Sequence, residues 1–128
     1  MASPLSFLAV GLGAALGAWL RWGLGLWLGS VHGLVQAGTL AANLIGGLLI
    51  GCALAFFVDQ PALAPQWRLF IITGFLGGLT TFSSFSGESL ALLQRGEYGW
   101  ALTHTVLHLA GSLLCCAAGF AAMRTLRG

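Results

Sequence analysis

The stretch "GGLTTFSSFSGE", Gly77 to Glu88, decides how this chain is read. It lies inside a hydrophobic run long enough to cross a membrane, yet it carries glycines, two threonines, three serines and a carboxylate. Gly77 and Gly78 weaken a helix, and the β-branched Thr80 and Thr81 add to that. A helix interrupted there has unpaired carbonyls on one side of the break and unpaired N–H groups on the other. At membrane depth such groups persist only where protein or a cavity receives them. Carbonyls coordinate a cation, and a half-helix N-terminus favours an anion. The stretch therefore predicts a transmembrane helix broken at mid-span, with ion sites at the break.

The whole composition places the chain in a lipid bilayer. Of 128 residues, 58% are hydrophobic and only 6% charged, with a mean hydropathy of +0.93. A soluble domain carries about 25% charged residues. The net charge of +2 and the lack of any basic run exclude a nucleic-acid partner. Lysine is absent, and the cations are Arg21, Arg68, Arg95, Arg124 and Arg127. The opening "MASPLSFLAV" lacks the positive region of a signal peptide and reads as the start of a retained helix. Cys52, Cys115 and Cys116 sit in apolar stretches without zinc-ligand spacing, and read as core.

Four spans emerge, roughly 5–28, 38–58, 67–94 and 98–124, within a single four-helix domain covering 1–128. Each is near the ~20 residues that cross a bilayer. The third is long: at ~1.5 Å per residue it would reach about 42 Å, which tilt or a break must absorb. Trp19, Trp22, Trp27, Trp67, Tyr98 and Trp100 mark interfaces. Gly13 with Gly17, Gly47 with Gly51, and Gly74 with Gly78 recur at the spacing that lets helix backbones approach in lipid. With an even number of spans, Arg68, Arg124 and Arg127 share one side, opposite Arg95 and Arg21. That near-balance gives almost no orientation bias under the positive-inside rule, so the chain is expected to insert both ways and pair antiparallel.

Polar side chains within the spans are the candidate functional groups, because they are costly there and usually face a bundle interior or a water-filled path. Asn43 offers two donors and an acceptor, with Thr39 one turn before it on the same face. Its alternative role is an interhelical hydrogen bond worth about 0.6 kcal/mol. His104, His108 and Ser112 step by four and form one stripe, lining either a pore or a helix interface. A metal site is not expected on the histidines, since no third ligand is evident nearby. Phe82 and Phe85 share a face among Ser83, Ser84 and Ser86, and ring edges are weak donors to a bare anion. Packing is the alternative role for both rings. Glu88 is the only carboxylate deep in a span, read as a salt-bridge partner or a vestibule residue.

"GGLTTFSSFSGE" resembles the signature of the Fluc-type (CrcB) fluoride channels, close to G-G-x-T-T-F-S-T-F-S-x-E. "GAWLRW" at Gly17 to Trp22, "GTLAANLIGG" at Gly38 to Gly47 and "GSL" at Gly111 to Leu113 look like the same family. The resemblance implies an all-α membrane protein with four transmembrane helices, the third broken, assembled as an antiparallel dual-topology homodimer with two ion paths. It implies a fluoride pathway at Asn43, Phe82, Phe85 and Ser112, to which Ser83, Ser84 and Thr39 are added here as neighbouring hydroxyls. It also implies a structural sodium ion at the dimer centre, held by the backbone carbonyls of Gly77 and Thr80 from each subunit. Arg21 and Glu88 are vestibule candidates. The implied location is the bacterial cytoplasmic (inner) membrane, and the implied function is passive fluoride export down the membrane potential. Ser84 stands where threonine is usual, His104 where some relatives carry tyrosine, and His108 where some carry serine.

No nucleophile, cofactor motif or carboxylate pair suggests an enzyme. A small four-helix proton-coupled multidrug antiporter is the main alternative, but its chemistry needs a membrane-embedded carboxylate, typically in the first helix, where this chain has none.

Overall fold

The computed structural model describes residues 2–127. Its first helix, α1 (Pro4–Leu28), starts where Ser3 Oγ accepts the Ser6 N–H at 3.1 Å, with Pro4 in the first turn. Two short antiparallel strands follow, β1 (Ser30–Val31) and β2 (Val35–Gln36), pairing Ser30 with Gln36 and Val31 with Val35. Between them His32 (φ 53°) and Gly33 (φ 67°) both take positive φ, and Leu34 N–H closes on the Val31 carbonyl at 2.9 Å. This is the twist-matched hairpin turn. By sequence this connection shows only turn-formers, with no strand pattern.

Helix α2 (Ala37–Val58) comes next, and α6 (Tyr98–Arg127) ends the chain. Between them the third span is a composite. It contains α3 (Pro65–Arg68), a π-helical segment Leu69–Leu76, α4 (Gly77–Leu79) and α5 (Phe82–Gln94). Four helical stretches are long and apolar enough to cross a membrane: Pro4–Leu28, Ala37–Val58, Pro65–Gln94 and Tyr98–Arg127. The π-helical turns, which place i→i+5 bonds where the sequence predicts α-turns, are a departure from expectation.

The buried side of these helices is made of small residues. Gly13, Gly17, Ala42, Gly47, Gly51, Gly74 and Gly119 are buried. Phe7 and Trp27 stay 80% exposed and Leu113 71%. That inversion suits lipid, where a leucine outside costs nothing and close backbone packing supplies the attraction. Helix α2 packs most extensively on α6. A Cβ on Gly51 would overlap the Cys116 carbonyl and lie 2.9 Å from Phe120 N, and Gly119 faces Leu48 and Cys52 in the same way. Helix α1 lies along the π-helical segment, with Gly13 against Gly74.

Of the four residues that weaken this helix by sequence, the two threonines leave it and the two glycines do not. Gly77 is fully helical (φ −62°, ψ −37°), whereas Thr80 (ψ 155°) and Thr81 (ψ 123°) are extended. Gly78 serves packing instead, since a Cβ there would sit 2.9 Å from Ala14 Cα. The β-branched threonines suit extended backbone, so they carry the break.

Both ends of the bundle are tied. At one end Asp59 pairs with Arg127 at 3.7 Å and Gln66 Nε2 donates to Ser6 Oγ at 3.3 Å. At the other end Arg95 Nη1 donates to the Gly33 carbonyl at 3.4 Å, and His32 packs on Trp100.

Candidate functional site at the helix interruption

Extended backbone at Thr80 and Thr81 removes four helical hydrogen bonds, and three of the groups set free find side-chain partners. Thr81 N–H, which an unbroken helix would send to the Gly77 carbonyl, goes to Asn43 Oδ1 at 2.8 Å. Ser84 N–H, otherwise bound for the Thr80 carbonyl, goes to Thr81 Oγ1 at 3.1 Å, making Thr81 the N-cap of α5. The Gly78 carbonyl, otherwise paired with Phe82 N–H, accepts from Arg21 Nε at 3.2 Å. The carbonyls of Gly77 and Thr80 are thereby released from the helix ladder. Arg21 thus reaches the break itself, a role that its place near an interface Trp cluster did not suggest.

Beside the break lies a cavity of ≈ 360 Å³ whose lining includes Asn43, Gly77, Thr80, Phe82, Phe85 and Ser112. Those six residues come from α2, the broken span and α6, so the fold brings together groups far apart in sequence. Phe82 is 71% exposed and Phe85 is 8% exposed, with ring centroids 5.4 Å apart. Ser83 is exposed and shares a hydrogen bond with Thr81 Oγ1 at 3.2 Å, and Ser84 is half-buried in the first turn of α5. Ser112 Oγ donates to the His108 carbonyl one turn back on its own helix.

Asn43 is the hub. Its Oδ1 accepts from Thr81 N–H, while Nδ2 donates to the Thr81 carbonyl at 3.0 Å and to His108 Nδ1 at 2.9 Å. The backbone roles of Thr81 fix the amide orientation, and the amide in turn makes His108 Nδ1 an acceptor. Both amide protons are therefore committed.

Thr39, on the same face of α2, reaches a neighbouring cluster. Its hydroxyl donates to Glu88 Oε2 at 2.8 Å. Glu88 Oε1 lies 3.1 Å from His104 Nε2, and His104 Nδ1 meets Ser89 Oγ at 2.9 Å. Both histidines are buried, pack with each other at 4.5 Å between centroids, and contact the Phe85 ring at 5.2 and 5.0 Å. Glu88 supplies the third potential metal ligand that is not evident from sequence: ligand atoms of Glu88, His104 and His108 all lie within 4.8 Å of one another. Sequence spacing shows the histidine stripe but gives no sign of which helix face it meets.

Residues 8–120 match the family described as CrcB-like protein, Camphor Resistance (CrcB). The chain belongs to the CrcB-like family. It is 59% identical over 123 residues to the fluoride-specific ion channel FluC of Cupriavidus pinatubonensis, covering 96% of this chain and 98% of that one. It is 58% identical to the protein of the same name in Aromatoleum aromaticum, and 57% identical to that in Pseudomonas putida. Each alignment again covers 96% of this chain, with 94% and 97% of the relative. As a CrcB-like chain with four helices fit to cross a bilayer, it is a multi-pass membrane protein.

Proposed function

We propose that this chain is a fluoride-selective channel that exports cytoplasmic fluoride by passive electrodiffusion. The carrying observation is the meeting of Asn43, Phe82, Phe85 and Ser112 around one cavity at the helix interruption, in a chain whose relatives are named fluoride-specific ion channels. A small anion leaving water needs donors fixed along a narrow path, close enough to replace its hydration and weak enough to release it. The Phe82 and Phe85 ring edges are such donors. Asn43 serves fluoride by exchanging one of its two amide acceptors for the stronger anion. Ser112 serves by rotating its hydroxyl away from the His108 carbonyl. Thr39, Ser83 and Ser84 extend the polar lining toward the mouths, and Arg21 and Glu88 stand at its edges.

The working unit is an antiparallel dual-topology homodimer in the bacterial cytoplasmic membrane, with the break near the bilayer midplane. Support comes from the exposure of Phe82, Ser83 and Gly77 on one chain. Polar and backbone groups at membrane depth need a protein cover, and a second copy related by an in-plane two-fold axis supplies it. The released Gly77 and Thr80 carbonyls fit a hard cation, which takes oxygen ligands. Two copies of them would hold the structural sodium ion, whose charge would tie the subunits together.

The antiporter reading is weaker because α1 carries no carboxylate. The channel reading is tested by fluoride efflux from reconstituted liposomes with and without a pH gradient. Efflux that follows the applied potential without the gradient supports the channel, and efflux that requires the gradient replaces it with the antiporter.

A further inference from the structure

His108 Nε2 is buried and has no hydrogen-bond partner among the described residues. Leaving a buried polar nitrogen unpaired costs on the order of 1–3 kcal/mol, so such an atom calls for a reason. His108 belongs to the cluster of Glu88, His104 and His108, each of which offers a ligand atom within 4.8 Å of the others. His104 is wholly buried and His108 is 3% exposed.

The cluster carries the outer hydrogen bonds that orient metal ligands. His104 Nδ1 rests on Ser89 Oγ at 2.9 Å, which leaves Nε2 to point at the Glu88 carboxylate. Glu88 Oε2 is held by the Thr39 hydroxyl at 2.8 Å, which leaves Oε1 toward His104. Second partners of this kind set ring orientation and ligand basicity in metal sites. The 3.1 Å between His104 Nε2 and Glu88 Oε1 is close to the roughly 3.4 Å separating neighbouring ligands around a tetrahedral ion with 2.0–2.2 Å bonds. His108 lies within 4.8 Å of both, so joining them needs a closure of at most about 1.4 Å. Two imidazoles and one carboxylate suit zinc, copper or nickel, not the hard cations that prefer oxygen alone.

We propose that Glu88, His104 and His108 form an inhibitory site for a divalent transition-metal ion of the zinc group. Binding is coupled to the ion path through proton positions. With Asn43 donating to its Nδ1, neutral His108 carries its proton on Nε2. Coordination through Nε2 shifts that proton to Nδ1, and His104 makes the same shift toward Ser89 Oγ, with no net proton released. At His108 the new Nδ1–H faces the Asn43 amide, which is also a donor, so that bond breaks. Metal occupancy and the Asn43–His108 contact are therefore mutually exclusive, and the net positive charge of the occupied site, beside the freed amide, holds fluoride too tightly for it to leave the path.

The inhibitory half of this proposal rests on the fluoride-channel reading, whereas metal binding does not. The test uses the full-length, tag-free protein titrated with Zn²⁺ against a chromophoric zinc indicator, and then fluoride flux in liposomes with Zn²⁺ present. One zinc per chain is expected, with binding lost in His108→Ser and in Glu88→Gln. If His108→Ser fails to fold, the near-isosteric Glu88→Gln decides the matter alone. Asn43→Asp, whose carboxylate accepts from His108 Nδ1–H, tightens binding about 10-fold. No zinc binding by the wild type overturns the site. So does binding that survives the ligand substitutions, or that disappears only when Cys52, Cys115 and Cys116 are alkylated. Zinc should stop wild-type fluoride flux and leave whatever flux His108→Ser retains; zinc that binds without slowing flux overturns the inhibition. Wild-type vesicles without fluoride flux would instead overturn the channel reading, with the zinc titration still judging the site.

Discussion

Replacing Asn43 by leucine removes the group that keeps the broken helix open. Three partners lose their hydrogen bonds: Thr81 N–H at 2.8 Å, the Thr81 carbonyl at 3.0 Å and His108 Nδ1 at 2.9 Å. An average membrane hydrogen bond is worth about 0.6 kcal/mol, which sets a lower bound of about 2 kcal/mol for the three. If each abandoned group stayed dry at about 1–3 kcal/mol, the loss would reach up to roughly 9 kcal/mol. Thr81 lines the adjoining cavity, where water can meet it, so the lower part of that range applies. The expected destabilisation is about 3 kcal/mol, a change of roughly 150-fold in the unfolding equilibrium. The assay is reversible unfolding in mixed detergent micelles, followed by the fluorescence of the five tryptophans. Asn43→Asp keeps the acceptor for Thr81 N–H but sets a carboxylate against the Thr81 carbonyl, so it should fall between leucine and wild type. A leucine variant within about 0.5 kcal/mol of wild type, the ordinary scatter of surface changes, would refute the bracing role.

Three further outcomes follow from the packing. Gly51→Leu should prevent folding, because its Cβ overlaps the Cys116 carbonyl and backbone cannot yield like a side chain; a monodisperse, helical variant on size exclusion would contradict this. Phe85→Ile should cost about 0.5–1.5 kcal/mol through its lost ring contacts with His104 and His108, whereas the exposed Phe82→Ile should leave single-chain stability unchanged. Both should suppress fluoride flux, and unchanged rates in both would remove the rings from the path. Arg127→Ala should change stability by less than about 1 kcal/mol, since its 3.7 Å pairing with a 56%-exposed Asp59 is solvent-screened; the same unfolding titration checks it.

Much of the fold was legible because lipid imposes simple rules. Span lengths followed from hydropathy, and buried Gly13, Gly17, Gly47 and Gly51 followed from their spacing. The sequence offers four helix-weakening residues, Gly77, Gly78, Thr80 and Thr81, without saying which of them leave the helix. Gly77 and Gly78 weaken an isolated helix, but Gly78 packs tightly against α1 and both stay helical, so the break falls on Thr80 and Thr81. The π-helical segment Leu69–Leu76 has no composition of its own to announce it. At the site, the residues were visible but their partners were not. Thr39 and Asn43 share a face of α2, yet one serves Glu88 and the other Thr81, which depends on the height of α5 against α2. The meeting of His104 with Glu88 likewise depends on how α5 and α6 pack after the Arg95–Glu97 turn, which periodicity along one helix cannot give. Arg21 reads as a vestibule candidate, and its partner, the freed Gly78 carbonyl, has no sign in the sequence.

The most direct measurement is fluoride efflux from liposomes containing only this protein, driven by a potassium-diffusion potential at equal pH on both sides. A fluoride channel predicts efflux that scales with the applied potential, with chloride excluded under the same drive. Absence of fluoride efflux, equal passage of chloride, or efflux only when a proton gradient is imposed would contradict it.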